Sequence, residues 1–320
     1  MAYLVDAFAL LFVAGFSLTL SKLMEQNAMT LEQLRIFIAV AEKQHVTQAA
    51  SQLHLTQSAT SAAIAALEAR YGIKLFDRIG RGIRLTQTGR DFLSEARNVV
   101  ARAKAAAQVL DDLAGLKRGS LSLAASQTVA NYWLPPRIAA FRKAHPGIDL
   151  HVTIANTEQV AHAVHRGDAD LGFVEGEVDD PSLAIRKMEG DSLVIVVGAG
   201  HPWIGKARIT PRLLTETGWI LREPGSGTRS MFEAALKKLG MKLSDLDLRL
   251  ELPSNEAVRV AVESGDCATA ISDLVVAPSL AAGTLHRVKI DLPRRSFFVL
   301  RHKERYASQA EKALFASFRM

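Results

Sequence analysis

The apolar positions from residue 31 to residue 89 recur at the spacing of consecutive short helices. The first helix is predicted to bury a face formed by Leu31, Leu34, Phe37, Ile38 and Ala41. A second helix is expected to begin at Thr47, whose hydroxyl can cap it. Because Ala49 and Ala50 are small, two of these helices can cross closely, as a helix-turn-helix requires.

A third helix is predicted from Gln57 to Arg70, with Thr56 as its cap. Its apolar positions can face the other two helices, which leaves its N-terminal end polar. The polar residues free at that end are Gln57, Ser58, Thr60 and Ser61. Such groups suit contacts to base edges in a DNA major groove, so we predict a recognition helix here, with Thr47 as a further DNA contact.

A basic hairpin is predicted directly after the three helices. Gly80 and Gly82 separate two short apolar runs, as the turn of a two-stranded wing would. Between residues 70 and 90 the only acid is Asp77, and the bases are Arg70, Lys74, Arg78, Arg81, Arg84 and Arg90. We interpret Arg78, Arg81 and Arg84 as DNA contacts, although a solvated charged hairpin is an alternative.

Residues 31–89 carry motifs that resemble those of the DNA-binding domain of LysR-type transcriptional regulators. The matching residues are Leu31-x-x-Leu34-x-x-Phe37, Thr47-Gln48-Ala49-Ala50, Leu55-Thr56-Gln57-Ser58-Ala59, Ile64-x-x-Leu67-Glu68, Leu75-Phe76-Asp77-Arg78 and Leu85-Thr86-x-x-Gly89. Ser58 departs from the pattern, because many relatives carry proline there, yet both residues suit the first turn of a helix. The resemblance implies a winged helix-turn-helix over residues 29–86 that binds promoter or operator DNA.

A long helix is predicted behind the wing, from Gln87 to Leu116. Alternating steps of four and three residues produce a heptad seam of Phe92, Ala96, Val99, Ala103, Ala106, Leu110 and Leu113. We favour a linker and dimerisation helix over residues 87–118, and an amphipathic helix packed on its own domain is the alternative. A homodimer would present paired recognition helices, and the resemblance implies that dimers tend to form homotetramers.

Composition limits the remaining possibilities. A chain of 320 residues with 48% hydrophobic content can fill more than one core, and a formal charge of +6 suits a nucleic-acid partner. The single cysteine, Cys267, excludes an intramolecular disulfide and is compatible with a cytoplasmic location. Cys267 could sense oxidants, but its apolar sequence neighbours favour a small buried residue.

The first 28 residues differ from the rest of the chain. Residues 7–20 are almost wholly apolar, but this run is shorter than the roughly 20 residues that a transmembrane helix needs. No basic leader precedes it, which argues against a secretory signal. We favour an extension from an upstream translation start, with no stable membrane association, over a membrane-contacting helix.

From Gly119 onward, short strands alternate with helices, which indicates α/β sheets. The predicted strands are 121–125, 150–154, 170–174, 194–198, 219–221, 248–252 and 267–271, and the predicted helices are 133–144, 157–166, 229–239 and 255–264. Polar residues stand where strands lead into helices: Ser126-Gln127-Thr128, Gly225-Ser226-Gly227-Thr228-Arg229 and Ser254-Asn255-Glu256. Each junction alone is better explained by helix capping, but three together favour one cleft that binds a small anion.

This half resembles the LysR effector domain, which is similar to the type 2 periplasmic binding fold. The resemblance implies a small-molecule inducer between two subdomains: lobe I at residues 119–189 and 286–320, lobe II at 190–271, and a return segment at 272–285. The implied inducer contacts are Ser126, Gln127, Thr128, Glu177, Gly227, Thr228 and Ser272. The loop Glu175-Gly176-Glu177 and the pair Ile271-Ser272 are expected to close the rim. The run Arg222-Glu223-Pro224-Gly225-Ser226-Gly227-Thr228-Arg229 is similar to the branch that controls sulfur assimilation or carbon dioxide fixation, which favours an oxyanion or compact organic acid.

Enzyme signatures are missing from the sequence. Gly225-x-Gly227 matches neither G-x-x-x-x-G-K-[ST] nor G-x-G-x-x-G, and there is no G-x-S-x-G elbow. His162, His165 and Asp168 could mimic a metal site, but a polar helix surface explains them better. We therefore expect no catalytic activity, no metal and no cofactor.

The predicted fold is α+β and multidomain: a winged helix-turn-helix, a long linker helix and an α/β effector domain over residues 119–320. Two functions remain. The first is a cytoplasmic, ligand-responsive transcription regulator in which the inducer alters promoter binding or bending. The second is a solute-binding or membrane-associated receptor that uses the hydrophobic N-terminus. The basic wing and recognition helix favour the regulator, because a receptor has no use for them.

Overall fold

The computed structural model of the chain describes residues 29–80, 82–113, 119–206, 208–290 and 292–318. The contacts divide the chain into two compact units, with the boundary after Ala103 inside the long helix. Our predictions for the N-terminal extension, for Arg81 and for the linker at residues 114–118 lie outside the described residues.

The first unit contains the three predicted helices and the hairpin. Its elements are α1 (Leu31–Lys43), α2 (Val46–Gln52), α3 (Gln57–Tyr71), β1 (Phe76–Ile79) and β2 (Gly82–Leu85). Thr56 caps α3 as predicted, because its hydroxyl accepts from the Ala59 N–H at 3.2 Å. The predicted capping role of Thr47 is wrong. His45, with extended backbone angles, precedes α2 and its ring accepts from the Gln48 N–H, so Thr47 lies inside the helix.

The core of this unit is built around Phe37 of α1. Its ring centroid lies 5.5 Å from that of Phe76 in the wing and 4.9 Å from that of Phe92 in the following helix. At the start of that helix, Gly89 packs against the backbone of Leu75. A Cβ at Gly89 would lie 2.2 Å from the Leu75 carbonyl oxygen, so only glycine allows the wing and helix to meet.

The long helix is α4 (Gln87–Leu113). Its packing corrects the first part of the predicted dimerisation seam. Phe92 and Ala96 pack against the core of the first unit, so the beginning of the seam follows the alternative of an ordinary amphipathic helix. The later positions Val99, Leu110 and Leu113 are exposed by 44%, 69% and 79%. Only this later part of the seam is free for a partner helix, and Ala103 between these positions is half-buried.

The second unit carries two five-stranded sheets. Its strands are β3 (Gly119–Ser126), β4 (Ile148–Ala155), β5 (Leu171–Glu175), β6 (Leu183–Met188), β7 (Leu193–Gly198), β8 (Gly218–Arg222), β9 (Asp247–Leu252), β10 (Ala268–Ser272), β11 (Leu285–Arg287) and β12 (Phe297–His302). Its helices are α5 (Leu134–Ala144), α6 (Thr157–Arg166), α7 (Pro211–Leu214), α8 (Gly227–Lys238), α9 (Asn255–Glu263), α10 (Asp273–Ala282) and α11 (Gln309–Ser317).

Each sheet forms one lobe. The order in the first lobe is β4-β3-β5-β12-β6, with β3, β4 and β5 parallel and β12 antiparallel to both of its neighbours. The order in the second lobe is β11-β7-β10-β8-β9, with β8, β9 and β10 parallel and β7 antiparallel to its neighbours. Helices connect the parallel strands, as such strands require.

The structure moves the predicted lobe boundary. Residues 272–285 are not a return segment, because most of them form α10, which packs on α9 and β11. β11 then pairs with β7, so Leu285–Arg287 belongs to the second lobe. The chain therefore completes the second sheet first and crosses back at residues 288–296, not at residue 286.

The lobes have separate aromatic cores. In the first, Trp133 packs between Phe173 and Phe297, with ring centroids 6.3 and 5.8 Å away. In the second, Trp219 is fully buried against Phe232, and its indole N–H donates to the Leu214 carbonyl at 2.8 Å. Because each lobe has its own core, the lobes can form a cleft between them without sharing a hydrophobic centre.

Candidate DNA-binding surface and effector cleft

The N-terminal end of α3 presents most of the polar groups that the sequence predicts for DNA. Gln57 and Ser58 are exposed, Ser61 is half-buried, and Thr47 on α2 is exposed. The structure corrects the prediction that Thr60 is free to contact DNA. Its side chain is fully buried, and its hydroxyl donates to the Thr56 carbonyl at 3.0 Å. Thr60 lies four and seven residues before Ile64 and Leu67, on the helix face that packs inward.

The wing is an antiparallel hairpin with Gly80 in the left-handed region at its turn (φ +58°). Arg78 pairs with Ile83 and Asp77 pairs with Arg84, so the exposed Arg78 and Arg84 lie on opposite faces of the wing. Both faces of the hairpin therefore carry positive charge, and the face that carries Arg84 also carries Asp77.

Glu68 joins α3 to the wing. Its side chain is buried, and one carboxylate oxygen accepts from the Leu75 N–H at 2.8 Å and the Phe76 N–H at 3.2 Å. The other oxygen accepts from Lys74 Nζ at 2.7 Å. Burial acts to raise the pKa of Glu68, but these hydrogen bonds hold it below its ordinary value. The ionised carboxylate thus fixes the first wing strand to α3.

A buried carboxylate, Glu175, lies at the centre of the effector domain. It ends β5 and is 1% exposed. Its carboxylate accepts hydrogen bonds from three hydroxyls: Ser126, Thr128 at 3.5 Å and Thr228 at 3.3 Å. Three of the predicted effector contacts, two from the first lobe and one from the second, therefore converge on one oxyanion that the protein itself supplies.

A buried ion pair stands beside this cluster. Arg295, on the second crossover, donates through Nε and Nη2 to both carboxylate oxygens of Asp191, and its Nη1 donates to Thr228 Oγ1 at 3.0 Å. Burial acts to lower the pKa of Arg295, but Asp191 and Glu175 hold it above its ordinary value. Ser272 also donates to Asp191 and caps α10. The guanidinium thus connects the crossover segment at residues 288–296 to the hydroxyl cluster.

The two lobes meet closely around the cluster. A Cβ at Gly227 would lie 1.9 Å from the Glu175 carbonyl oxygen, so glycine is required where α8 begins. Thr157 donates to the same carbonyl at 2.8 Å. Across the cleft, the Glu158 N–H donates to the Gly225 carbonyl at 3.2 Å.

Gln127 forms a further bridge between the lobes. Its amide donates to the Pro253 carbonyl at 2.7 Å and accepts from the Asn255 N–H at 2.9 Å. Asn255 also donates to Thr128 Oγ1 at 3.0 Å and accepts from Arg222. Ser254 caps α9 by accepting from the Ala257 N–H, as the capping interpretation expects. These contacts describe a closed cleft whose polar groups are largely satisfied internally.

The sequence did not place several cleft residues correctly. Glu175 was expected only at the rim, Asn255 was expected only as part of a strand-to-helix junction, and Asp191, Arg222 and Arg295 were not predicted as cleft residues. Glu177 was predicted instead, but it is exposed two residues beyond Glu175. The available signal was an acid ending a fully buried strand, Leu171–Glu175, because a buried acid must find partners.

The other candidate sites take structural roles. His162 lies 4.0 Å from Glu158, His165 lies 2.9 Å from Asp180, and Asp168 pairs with Arg166, so the three do not converge. Cys267 is buried, as expected, and burial raises the pKa of its thiol. In the described part of the chain, no helix combines the length and apolar character needed to cross a bilayer.

Two family descriptions match the chain. Residues 31–90 match "Bacterial regulatory helix-turn-helix protein, lysR family", and residues 114–320 match "LysR substrate binding domain". Among curated relatives, "Uncharacterized HTH-type transcriptional regulator YeiE" of Escherichia coli K12 is 32% identical over 283 residues, covering 88% of this chain and 94% of that protein.

A second relative supports the resemblance to the carbon dioxide fixation branch. The "RuBisCO operon transcriptional regulator" of Allochromatium vinosum is 31% identical, covering 85% of this chain and 84% of that protein. Among solved structures, the regulatory domain of Synechocystis PCC6803 CcmR in complex with 2-PG superposes with a TM-score of 0.58 at 26% identity. The superposition covers 63% of this chain and 96% of that domain.

Proposed function

Because the chain belongs to the LysR family of DNA-binding transcriptional regulators with an effector-binding domain, we propose how its own residues perform these two tasks. Gln57, Ser58 and Ser61 contact base edges in the major groove, and Thr47 contacts the DNA backbone. Arg78, Arg81 and Arg84 neutralise phosphates or enter the minor groove. The exposure of Gln57 and Ser58 at one helix end supports this assignment.

We infer that the effector is a small oxyanion or compact organic acid that exchanges with the Glu175 carboxylate. The observation that carries this inference is the convergence of Ser126, Thr128 and Thr228 on that carboxylate. When Glu175 turns away, the three hydroxyls and the Arg295 guanidinium become donors for another anion. CcmR, whose regulatory domain binds 2-PG, supports a small-molecule site in this domain.

Exchange at Glu175 would alter the packing of the lobes. Gly227 touches the backbone of Glu175, and Thr228 bonds its carboxylate, so movement of this residue changes contacts on both sides of the cleft. An effector that binds one lobe arrangement more tightly shifts the population toward it. We propose that this shift changes promoter binding or bending in a cytoplasmic homodimer held by Val99, Ala103, Leu110 and Leu113. We assign no catalytic step to the cleft.

The test is a fluorescence anisotropy titration of the full chain on a duplex from its own upstream region. Sulfate, phosphate and glycolate are added in turn at constant ionic strength, so that screening does not imitate a response. We expect at least one anion to change the DNA affinity severalfold. Thr228→Val should blunt that response because it removes one donor, while binding in the absence of anion stays the same.

The two parts of the proposal fail separately. Failure to bind the duplex at all would remove the DNA-binding assignment. Binding with an anion response that is unchanged in Thr228→Val, with a normal melting temperature, would show that the effector site lies elsewhere. An unresponsive wild-type chain would exclude these three anions as effectors.

A further inference from the structure

A cavity lies on the α11 side of the first-lobe sheet, away from the cleft. It is open to solvent, has a volume of about 410 Å³, and is lined by Arg301, Ala307, Glu311, Lys312, Phe315 and Ala316. All of these residues belong to β12, α11 or the loop that joins them. The cavity therefore uses none of the residues that line the closed cleft.

Cationic groups crowd this side of the sheet. Arg186 of β6 stands opposite Val299 of β12, and Arg301 follows two residues later, so both arginines share the face that α11 covers. The Arg186 guanidinium lies 4.8 Å from the Phe315 ring centroid, and Lys312 Nζ lies 5.6 Å from the Tyr306 centroid. Two cation–aromatic pairs therefore lie on this side of the sheet, and each contributes one residue, Phe315 or Lys312, to the cavity wall.

One acid, Glu311, is part of the cavity wall. It is 5% exposed, and its carboxylate lies 3.7 Å from Arg301 Nε. Burial raises the pKa of Glu311 to about 7, although the charges of Arg301 and Lys312 act to lower it; Asp170 acts to raise it further. Asp170 itself pairs with Lys104 at 3.2 Å. Near neutral pH, Glu311 therefore balances the cationic wall only in part.

We propose that this cavity is a second small-molecule site, which binds an amphipathic monocarboxylate. The ligand carboxylate pairs with Arg301 and Lys312, and its apolar body lies on Phe315, Ala307 and Ala316. A neutral or cationic ligand would leave the excess positive charge unpaired, and a fully polar anion would not cover the aromatic ring.

The site couples ligand binding to a proton. A carboxylate bound beside Glu311 disfavours a second negative charge, so Glu311 becomes protonated and can donate a hydrogen bond to the ligand. Affinity should therefore be nearly constant below about pH 7 and should fall as the pH rises above it. The groups that face Glu311 and set this range are Arg301, Lys312 and Asp170.

The test is isothermal titration of the full chain with phenylacetate, with the neutral phenylacetamide as the matched ligand. We expect phenylacetate to bind with a Kd on the order of 0.1–1 mM at pH 6 and roughly tenfold more weakly at pH 8. Arg301→Gln should weaken binding at least about tenfold, since it removes the paired charge. Glu311→Gln should retain the pH 6 affinity at pH 8 and remove the pH dependence.

Thr228→Val serves as the control, because it alters the cleft and leaves this cavity intact. Loss of phenylacetate binding in that variant would place the ligand in the cleft and overturn the proposal. Equal binding of the amide, a pH dependence that persists in Glu311→Gln, or no binding by about 10 mM phenylacetate would overturn it as well.

Discussion

The DNA-binding surface and the effector cleft use similar side chains in opposite environments. The side chains are mostly exposed in the first and buried in the second. In the first unit, the assigned groups are mostly exposed and come from one continuous stretch, residues 47–84. In the cleft, hydroxyls and charges between residues 126 and 295 are buried and satisfy one another. An exposed arginine is hydrated by water and needs no partner within the protein, whereas a buried arginine needs an acidic or polar partner in the folded chain. This difference predicts which substitutions reduce binding and which reduce stability.

The largest expected effect comes from breaking the buried ion pair. Arg295→Met should lower the free energy of unfolding of the effector domain by about 3–5 kcal/mol, because Asp191 and Glu175 would lose their buried counter-charge. The measurement is urea denaturation followed by tryptophan fluorescence. The control, Arg249→Gln, removes an exposed arginine that also has acidic partners, and we expect its unfolding transition to stay nearly unchanged. Equal losses in both variants would remove the distinction between the two environments.

An intermediate effect is expected from the wing. The double variant Arg78→Ala, Arg84→Ala should weaken DNA binding about tenfold or more and reduce the slope of log affinity against log salt by about 2. Unfolding should be nearly unchanged, because both side chains are exposed. The matched control is Lys237→Ala, Lys238→Ala on α8, which removes the same charge from an exposed site. If the salt slope changes equally in both double variants, net charge alone determines the salt dependence of DNA binding and the wing makes no specific contact.

The smallest effect separates two residues one turn apart on α3. Gln57→Ala should cost about 1 kcal/mol of DNA-binding free energy, at the low end for a base contact, and leave stability unchanged. Thr60→Val should do the reverse, because its buried hydroxyl bonds the Thr56 carbonyl and is hidden from DNA. We expect a stability loss of about 1 kcal/mol there. If Thr60→Val impairs DNA binding as much as Gln57→Ala does, the assignment of Gln57 as a DNA contact and of Thr60 as a buried structural residue is wrong.

The sequence predicted the first unit well because its structure is local. The caps, the apolar spacing and the turn glycine all lie within a few residues of the elements they define, and α3 and the wing occur where the pattern indicated. The errors concerned the partners of correctly spaced positions. Thr60 is buried on the face that the spacing of Ile64 and Leu67 defines, and Phe92 and Ala96 pack on the core of their own unit, not on a partner helix.

In the effector domain, alternation predicted seven of the strands but missed β6, β11, β12, α7, α10 and α11. β12 pairs with β5 and β6 across more than a hundred residues, which no local spacing encodes. The position of β11 on the second sheet, and with it the lobe boundary, depends on the same kind of distant pairing.

The sequence by itself determined the family, the order of the domains, the helix α3 with its polar N-terminal end and the charged wing, since each follows from short-range pattern and composition. Only the tertiary structure decided that Glu175 fills the hydroxyl cluster and that Arg295 pairs with Asp191. It also placed Glu311 in the wall of a cationic cavity. The physical reason is that a buried charge is defined by its partners, and those partners lie far away along the chain.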